Sequence, residues 1–388
     1  MKKSLFVAPA LSAAFLLSLA GCAQAPGTGS PSAEPAGSAS GGASGSASGG
    51  GSPSGSASGG ASGADYKACM VSDSGGFDDK SFNQTSYKGL KDAAAELGIK
   101  TGEVESQNAS DFAGNIQSMV AANCKVIVTV GFLLSDDTLA AAKKHPNIDF
   151  AIVDNNDPKA YKGVKNLKPL IFNTAQSSFM AGYLAAGTSQ TKKVGTFGGI
   201  KIPTVTIFMD GFAQGVKYYN SQKKADVQVL GWNTDKQDGQ FVGGFEDQKS
   251  GQRTAENLIS QGADIVLPVA GPAGIGALQA AKSSGGKVNA IWVDTDGCVS
   301  AQAYCGNIVS SVYKGMDVAV ADAIKASRSG SFSSEPYVGD LKNSGTGLSP
   351  FHDFDGKVPA ALKTELDTIK ADISSGKIII ESKSQPTS

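Results

Sequence analysis

The chain reads as an α/β protein of two lobes, each built on a parallel sheet with helices on both faces. Three observations carry this. Short Val- and Ile-rich runs alternate with segments of helical periodicity from about residue 65 of 388 to the end, the pattern of sheets buried on both sides. The runs outnumber what one such sheet comfortably holds. Residues suited to a cleft also fall at or just past the strand ends, where ligands bind in open α/β sheets.

Taken in chain order, Lys2 and Lys3 precede an apolar run from Leu5 to Ala20 that ends in Leu19-Ala20-Gly21-Cys22. This reads as an export signal, too short to span a membrane. Its ending resembles the lipobox of bacterial lipoproteins, which implies lipid on Cys22 and a chain anchored rather than spanning. From Ala23 to Ala64 the chain is almost wholly Gly, Ser, Ala and Pro. Such a segment buries too little surface to offset its chain entropy and is expected to be a flexible tether.

Strands are expected over Lys67–Asp73, Lys125–Phe132, Phe150–Asp154, Leu170–Asn173, Val194–Gly198, Val227–Asn233, Ile265–Ala270, Asn289–Asp294 and Ile308–Val312. Helical spacing marks Ser81–Leu97, Asp111–Ala122, Ala175–Ala186, Val205–Asn220, Asp247–Gln261 and Gly274–Ser283. Asp73, Phe132, Asp154, Gly271 and Asp294 sit at strand exits, and a ligand held between two lobes would gather them.

Lys and Arg number 34 against 35 Asp and Glu, so no basic footprint argues for nucleic acid. Beyond Cys22 there are four cysteines, an even number that suggests disulfides outside the cytoplasm. Cys298 and Cys305 share one polar loop and are placed to close a small ring. Cys69 and Cys124 each begin an apolar strand and become neighbours if those strands pair. Free buried thiols are the alternative. With no CxxC and only His145 and His352, no metal site is expected. GxSxG, HExxH, GxxxxGK[ST] and GxGxxG are all missing, so binding without turnover, and without a cofactor, explains the acidic residues more simply than catalysis does.

The densest stretch is VSDSGGFDDKSFNQTSYKGL, Val71 to Leu90. Ser74-Gly75-Gly76 makes the turn, and Ser81 is placed as N-cap with Gln84 completing a capping box. Tyr87, Leu90, Ala94 and Leu97 form the buried stripe. Phe82 lies about 100° from the centre of that stripe, which leaves it either facing a cleft or stapling the helix start. Asp78, Asp79 and Lys80 read as solvated, with Asp79 the alternative cap.

This stretch strongly resembles the opening motif of the basic membrane protein (BMP) family of ABC-transporter substrate-binding lipoproteins, of purine-nucleoside-binding type. The likeness continues in AIVD (Ala151–Asp154), SFMAGYLAA (Ser178–Ala186), GGIKIPTVTIFMDGFAQG (Gly198–Gly215), VAGPAGIGALQAAK (Val269–Lys282), VDTD (Val293–Asp296) and SSVYKGMDVAV (Ser310–Val320). The resemblance implies a type I periplasmic-binding-protein fold, two doubly wound α/β lobes joined by a three-strand hinge. Lobe 1 would hold about 65–172 and 313–332, and lobe 2 about 173–312 and 333–388. It further implies an extracytoplasmic lipoprotein that captures a nucleoside and passes it to permease and ATPase subunits of an importer. A sugar or other small polar ligand, or a sensing role, stays open.

The family's motifs carry over residue by residue. Phe82 and Phe208 would stack on the base, each contributing about 1–3 kcal/mol. Spacing alone puts Phe208 in a core stripe with Val205, Phe212 and Val216, and the resemblance turns it toward the cleft. Asp294 and Lys314 would hold ribose hydroxyls. Asp296 is a weaker choice, because Gly297 and Cys298 follow where the family commonly continues Asp-Gln. Asp73 and Ser74, helped by Asn83, would meet the base edge. Asp154 is a further contact, or else a cap or turn residue within Asp154–Asp157. Gly271 would allow close backbone approach, and the Gly271–Gly274 turn would offer amides.

Overall fold

The computed structural model describes residues 65–386. The export signal, Cys22 and the Ala23–Ala64 segment lie outside the described residues. The first lobe opens with β1 (Lys67–Ser72), α1 (Phe82–Leu97), β2 (Lys100–Glu105), α2 (Phe112–Ala121), β3 (Val126–Val130), α3 (Ser135–Lys144), β4 (Asp149–Val153) and β5 (Leu167–Phe172). The chain then builds α4 (Thr174–Thr188), β6 (Lys193–Gly198), α5 (Pro203–Lys223), β7 (Gln228–Leu230) and a ribbon of β8 (Trp232–Asn233) and β9 (Asp238–Gly239). After these come α6 (Gln248–Ser260), β10 (Ile265–Val269), α7 (Ile275–Ser283), β11 (Asn289–Asp294), the short α8 (Gly297–Ser300) and β12 (Ile308–Lys314). It closes with α9 (Met316–Ser329), β13 (Tyr337–Gly339), β14 (Thr346–Leu348) and α10 (Ala360–Ser374).

The two six-stranded sheets run β13-β5-β4-β3-β1-β2 and β14-β12-β11-β10-β6-β7. They correspond strand for strand, and every pairing within them is parallel except β12 with β14. The chain crosses between the sheets after β5, after β12, and between β13 and β14. The third crossing is a correction to the boundary read from sequence at residue 333: Tyr337–Gly339 pairs with Leu170–Phe172 and belongs to the first sheet. Three residues flanked by Pro336 and containing Gly339 carry too little pattern to be read as a strand.

Other departures have local causes. The expected strands ran one or two residues too far at Asp73, Phe132, Asp154, Asn173 and Ala270, because at each exit the backbone leaves the ladder for the cleft. Val227–Asn233 divides at Gly231, whose φ of 83° breaks the run and whose missing side chain lets it lie against the Thr196 carbonyl. Lys100–Glu105 is an edge strand, charged and largely exposed, so it lacks the apolar signature of its neighbours. Cys69 and Cys124 form a disulfide inside the first lobe's core, and Cys298 and Cys305 form another.

In the second lobe α4 lies directly against α5. A Cβ added to Gly215 would stand 1.9 Å from the Phe179 carbonyl oxygen, and one on Gly211 would stand 2.3 Å from that of Ala175. Only glycine permits backbones this close, and the crossing sets the position of Phe208 one turn earlier on α5. Replacing Gly215 by Ala should therefore overpack the contact and destabilise by about 1–3 kcal/mol or more. Denaturant unfolding checks this, and an unchanged midpoint would show that the two helices can part at no cost.

Candidate functional site: the cleft between the lobes

Equivalent strands of the two sheets end at one cavity between the lobes. Asp154 follows β4 and Asp294 ends β11, the matching strand, and both adopt left-handed backbone with φ of 66° and 70°. Asp tolerates that region better than most side chains, yet it costs energy there, and such strain clusters at functional positions. Beside them, β3 exits through Gly131 at φ 119° and β10 through Gly271 at φ 51°, each into a 3₁₀ turn.

Lys314, the last residue of β12, is 4% exposed. Its Nζ donates to Asp154 Oδ2 and lies 3.4 Å from Asp294 Oδ1. Burial alone would lower its pKa. The combined pull of Asp154 and Asp294 outweighs that and raises it, so the ammonium stays charged. The same Nζ stands 4.9 Å from the Phe82 ring centroid and 5.0 Å from that of Phe208, one ring from each lobe. This is no solvated surface lysine, and Asp154, which stands in the turn after β4, turns its carboxylate onto that lysine. Asp157 caps the next turn, accepting from the amides of Lys159 and Ala160.

Both readings of the two phenyl rings hold at once. Phe208 is 1% exposed and belongs to the second lobe's core, yet its ring forms a cavity wall. Phe82 packs partly on the first lobe's core and lines the cavity opposite. Two further aromatics line it: Phe132 at the β3 exit, and Phe245, which was not read from sequence. It sits between Gly244 and the Asp247 cap of α6, and it fits because a side chain on Gly199 would collide with its ring. An aromatic just ahead of a capped helix start is a weak signal.

The loop from β1 to α1 corrects two expectations. Asp79 is buried, not solvated: its Oδ1 accepts from the amides of Ser81 (2.9 Å) and Gln84 (3.0 Å), and its Oδ2 from that of Asn83 (2.9 Å). It therefore caps α1, and the Ser81 hydroxyl caps nothing. Burial is the largest influence on Asp79 and pushes it up to about 6 against those three donors. Asp73 is pushed well above the usual carboxylate range, first by burial; Asn83 lowers it, and nearby Asp79 and Asp154 add to the rise. Gly131 makes room for that carboxyl, since a Cβ there would stand 1.9 Å from Asp73 Oδ2. Asn83 donates from Nδ2 to the Ser74 carbonyl at 3.0 Å, and its buried Oδ1 has no partner.

All the residues singled out from sequence as ligand contacts border this one cavity: Asp73, Ser74, Phe82, Asn83 and Asp154 on the first lobe, Lys314 at the hinge, and Phe208, Gly271 and Asp294 on the second lobe. The Gly271–Gly274 turn offers fewer amides than expected, because Pro272 has none and that of Ala273 donates to the Phe245 carbonyl at 2.6 Å. Asp296 lies outside the cavity. It caps α8 through the Cys298 amide and pairs with His352 Nε2 at 2.7 Å. Asp296, Cys298 and His352 are within ligating reach of one another, but the Cys298 sulfur is held in its disulfide.

Two doubly wound lobes, three crossings and a cleft at the strand ends define a solute-binding protein of the type I periplasmic fold. The chain belongs to the family of PnrA-like ABC transporter substrate-binding proteins, whose model matches residues 66–387. It is 31% identical over 341 residues to the "ABC transporter nucleoside-binding protein BmpA" of Lactococcus lactis, covering 82% of this chain and 90% of that one. Basic membrane protein A of Borreliella burgdorferi is 32% identical over 253 residues, 64% of this chain and 68% of the other. Among solved structures, a solute-binding protein of an ABC transporter system from Aeropyrum pernix superposes with a TM-score of 0.72 at 23% identity, covering 81% and 94% of the two chains. The family is one of extracytoplasmic binding proteins rather than enzymes, which implies a small-molecule ligand and permease and ATPase partners. Among the described residues no helix is long and apolar enough to cross a membrane.

The Asp79 shift has a stability consequence. Its folded-state pKa of about 6 lies above the ordinary aspartate value of 3.8, so the folded state binds a proton the unfolded chain has released. Its contribution is greatest below the unfolded pKa and is lost as pH rises through about 6. Asp79→Asn, which keeps one acceptor for the cap, should flatten stability against pH across that window, whereas Asp79→Ala should flatten it likewise and also cost about 1–2 kcal/mol by removing the cap. Chemical denaturation at a series of pH values checks both, and an unaltered pH slope in Asp79→Asn would contradict the assignment.

Proposed function

We propose that the chain captures nucleosides, purine nucleosides foremost, between its lobes and delivers them to an ABC importer. Lipid on Cys22 would hold it at the outer face of the cell membrane. The observation that carries this reading is the pair of phenyl rings, one from each lobe, flanking a lysine that already holds two carboxylates. A flat base stacks between Phe82 and Phe208. Ribose hydroxyls are donors, and Asp294 with Asp154 accepts them while Lys314 donates back. Asp73, whose carboxyl burial pushes well above the usual carboxylate range, accepts a hydrogen bond and in its protonated form also donates one, and the unpartnered Asn83 Oδ1 accepts. A purine edge supplies both donors and acceptors.

The same electrostatics select against phosphate. Asp79, Asp154 and Asp294 border the cavity with Lys314 as the cation among its lining residues, so a nucleotide would bring two further negative charges to a site already rich in carboxylates. The name of the lactococcal relative, a nucleoside-binding protein, agrees with this reading. The fold by itself does not choose the ligand.

Calorimetric titration of protein unfolded and refolded to remove carried-over ligand tests the proposal. Nucleosides should bind, free ribose should not, and nucleoside 5′-monophosphates should bind at least about 100-fold more weakly, for loss of the charge complementarity described above. Asp294→Ala should weaken nucleoside binding by about 2–4 kcal/mol and Phe82→Ala by about 1–3 kcal/mol. Phe82 is the cleaner variant, since Phe208→Ala also opens a core cavity. Silence across the nucleosides, or equal affinity for the 5′-monophosphates, would overturn the reading.

A further inference from the structure

Ser81 begins α1, but its hydroxyl is not used by the helix. It is fully buried and donates across the cleft to Asp294 Oδ2 at 2.8 Å, with the Val293 carbonyl a second acceptor at 3.3 Å. Asp294 is thereby fixed from two directions: Lys314 faces its Oδ1 from the hinge, and Ser81 of the first lobe takes its Oδ2. Other contacts lie on the same seam. Trp292 Nε1 donates to the Lys80 carbonyl at 3.2 Å, and a Cβ built on Gly75 would touch Pro272 Cγ at 3.4 Å. Each joins the β1–α1 loop of one lobe to strand or turn residues of the other, and each is broken when the lobes part.

We infer that Ser81 is a positioning residue that acts through Asp294: its hydroxyl orients that carboxylate only when the lobes are closed, so closure and completion of the site are one event. A ligand that engages Asp294 then binds the closed form preferentially and shifts the population toward it. Losing the hydroxyl costs little in the open state and costs a charge-assisted hydrogen bond in the closed one. The effect therefore falls on closure and on ligand dissociation. The helix does not depend on Ser81 in the same way, since Asp79 holds the amides of Ser81, Asn83 and Gln84.

In its ligand arm the inference rests on the nucleoside reading; in its closure arm it does not. The test uses the full chain, stripped of ligand, as wild type, Ser81→Ala, Ser81→Thr, Asp294→Ala and Ser81→Ala/Asp294→Ala. Small-angle scattering reads lobe separation, and stopped-flow dissociation reads guanosine, adenosine and inosine. Ser81→Ala should shift the unliganded protein toward a larger radius of gyration and raise koff about tenfold or more, with an unfolding midpoint near wild type. Ser81→Thr should restore both, and in the Asp294→Ala background Ser81→Ala should add nothing. Wild-type scattering and koff in Ser81→Ala would overturn the inference, as would an equal loss in the Asp294→Ala background. If wild-type protein binds none of these nucleosides, the proposed ligand fails while scattering still decides the latch.

Discussion

The cleft depends on one buried ammonium. Asp154 and Asp294 come from opposite lobes, both with left-handed backbones at the ends of matching strands, and both are turned toward Lys314. Without a cation between them, closing the lobes would bring two carboxylates together away from water, where like charges are weakly screened. Lys314 ends β12, where the chain crosses from the second sheet to the first, so its position follows from the hinge and not from either lobe's surface. A pair of this kind adds little to stability in itself, since desolvation offsets much of the attraction. Its contribution is to make one closed geometry acceptable and others not.

The symmetry of the sheets explains why the acidic residues meet there. β4 and β11 occupy the same place in their sheets, as do β3 and β10, and the strand exits converge on the cavity. Two copies of one topology facing each other bring two sets of strand ends to one place. The differences between the copies then give the site its character. The β1 exit supplies a carboxyl and a capped helix start, while the second lobe supplies Phe208 from α5 and Phe245 from the loop before α6.

Much of this was legible because strand exits and helical stripes have sequence periods. The Val- and Ile-rich strands, the major helices and the convergence of Asp73, Asp154, Gly271 and Asp294 follow from where apolar runs stop. What was not legible has physical reasons. Lys100–Glu105 is a charged edge strand, and Tyr337–Gly339 is only three residues long, held by its pairing with β5 and by the Tyr337 ring against Phe172. Asp79 and Ser81 have the same local composition whichever of them caps α1. The roles divide because Asp294, more than 200 residues away in sequence, accepts from Ser81. Gly131 matters through the Asp73 carboxyl it clears, a contact between strand exits that no local pattern encodes.

The two aromatic walls are held with unequal stiffness, and this bears on how closure can discriminate among ligands. Phe208 is locked twice, in the second lobe's core and on a helix whose glycines press against α4 backbone. Off-rotamer positions there would disturb close-packed neighbours. Phe82 stands in the first turn of α1, only partly buried, beside the seam where the β1–α1 loop meets β11. The second lobe thus presents a fixed plane and the first lobe brings a more adaptable one. A ligand too thick for the slot would be resisted by Phe208 and would hold Phe82 away, along with the Ser81 hydroxyl one residue before it. On the proposed nucleoside reading, stacking and the orientation of Asp294 would be gained or lost together, so one movement would read both the thickness of the base and the hydroxyls of the sugar.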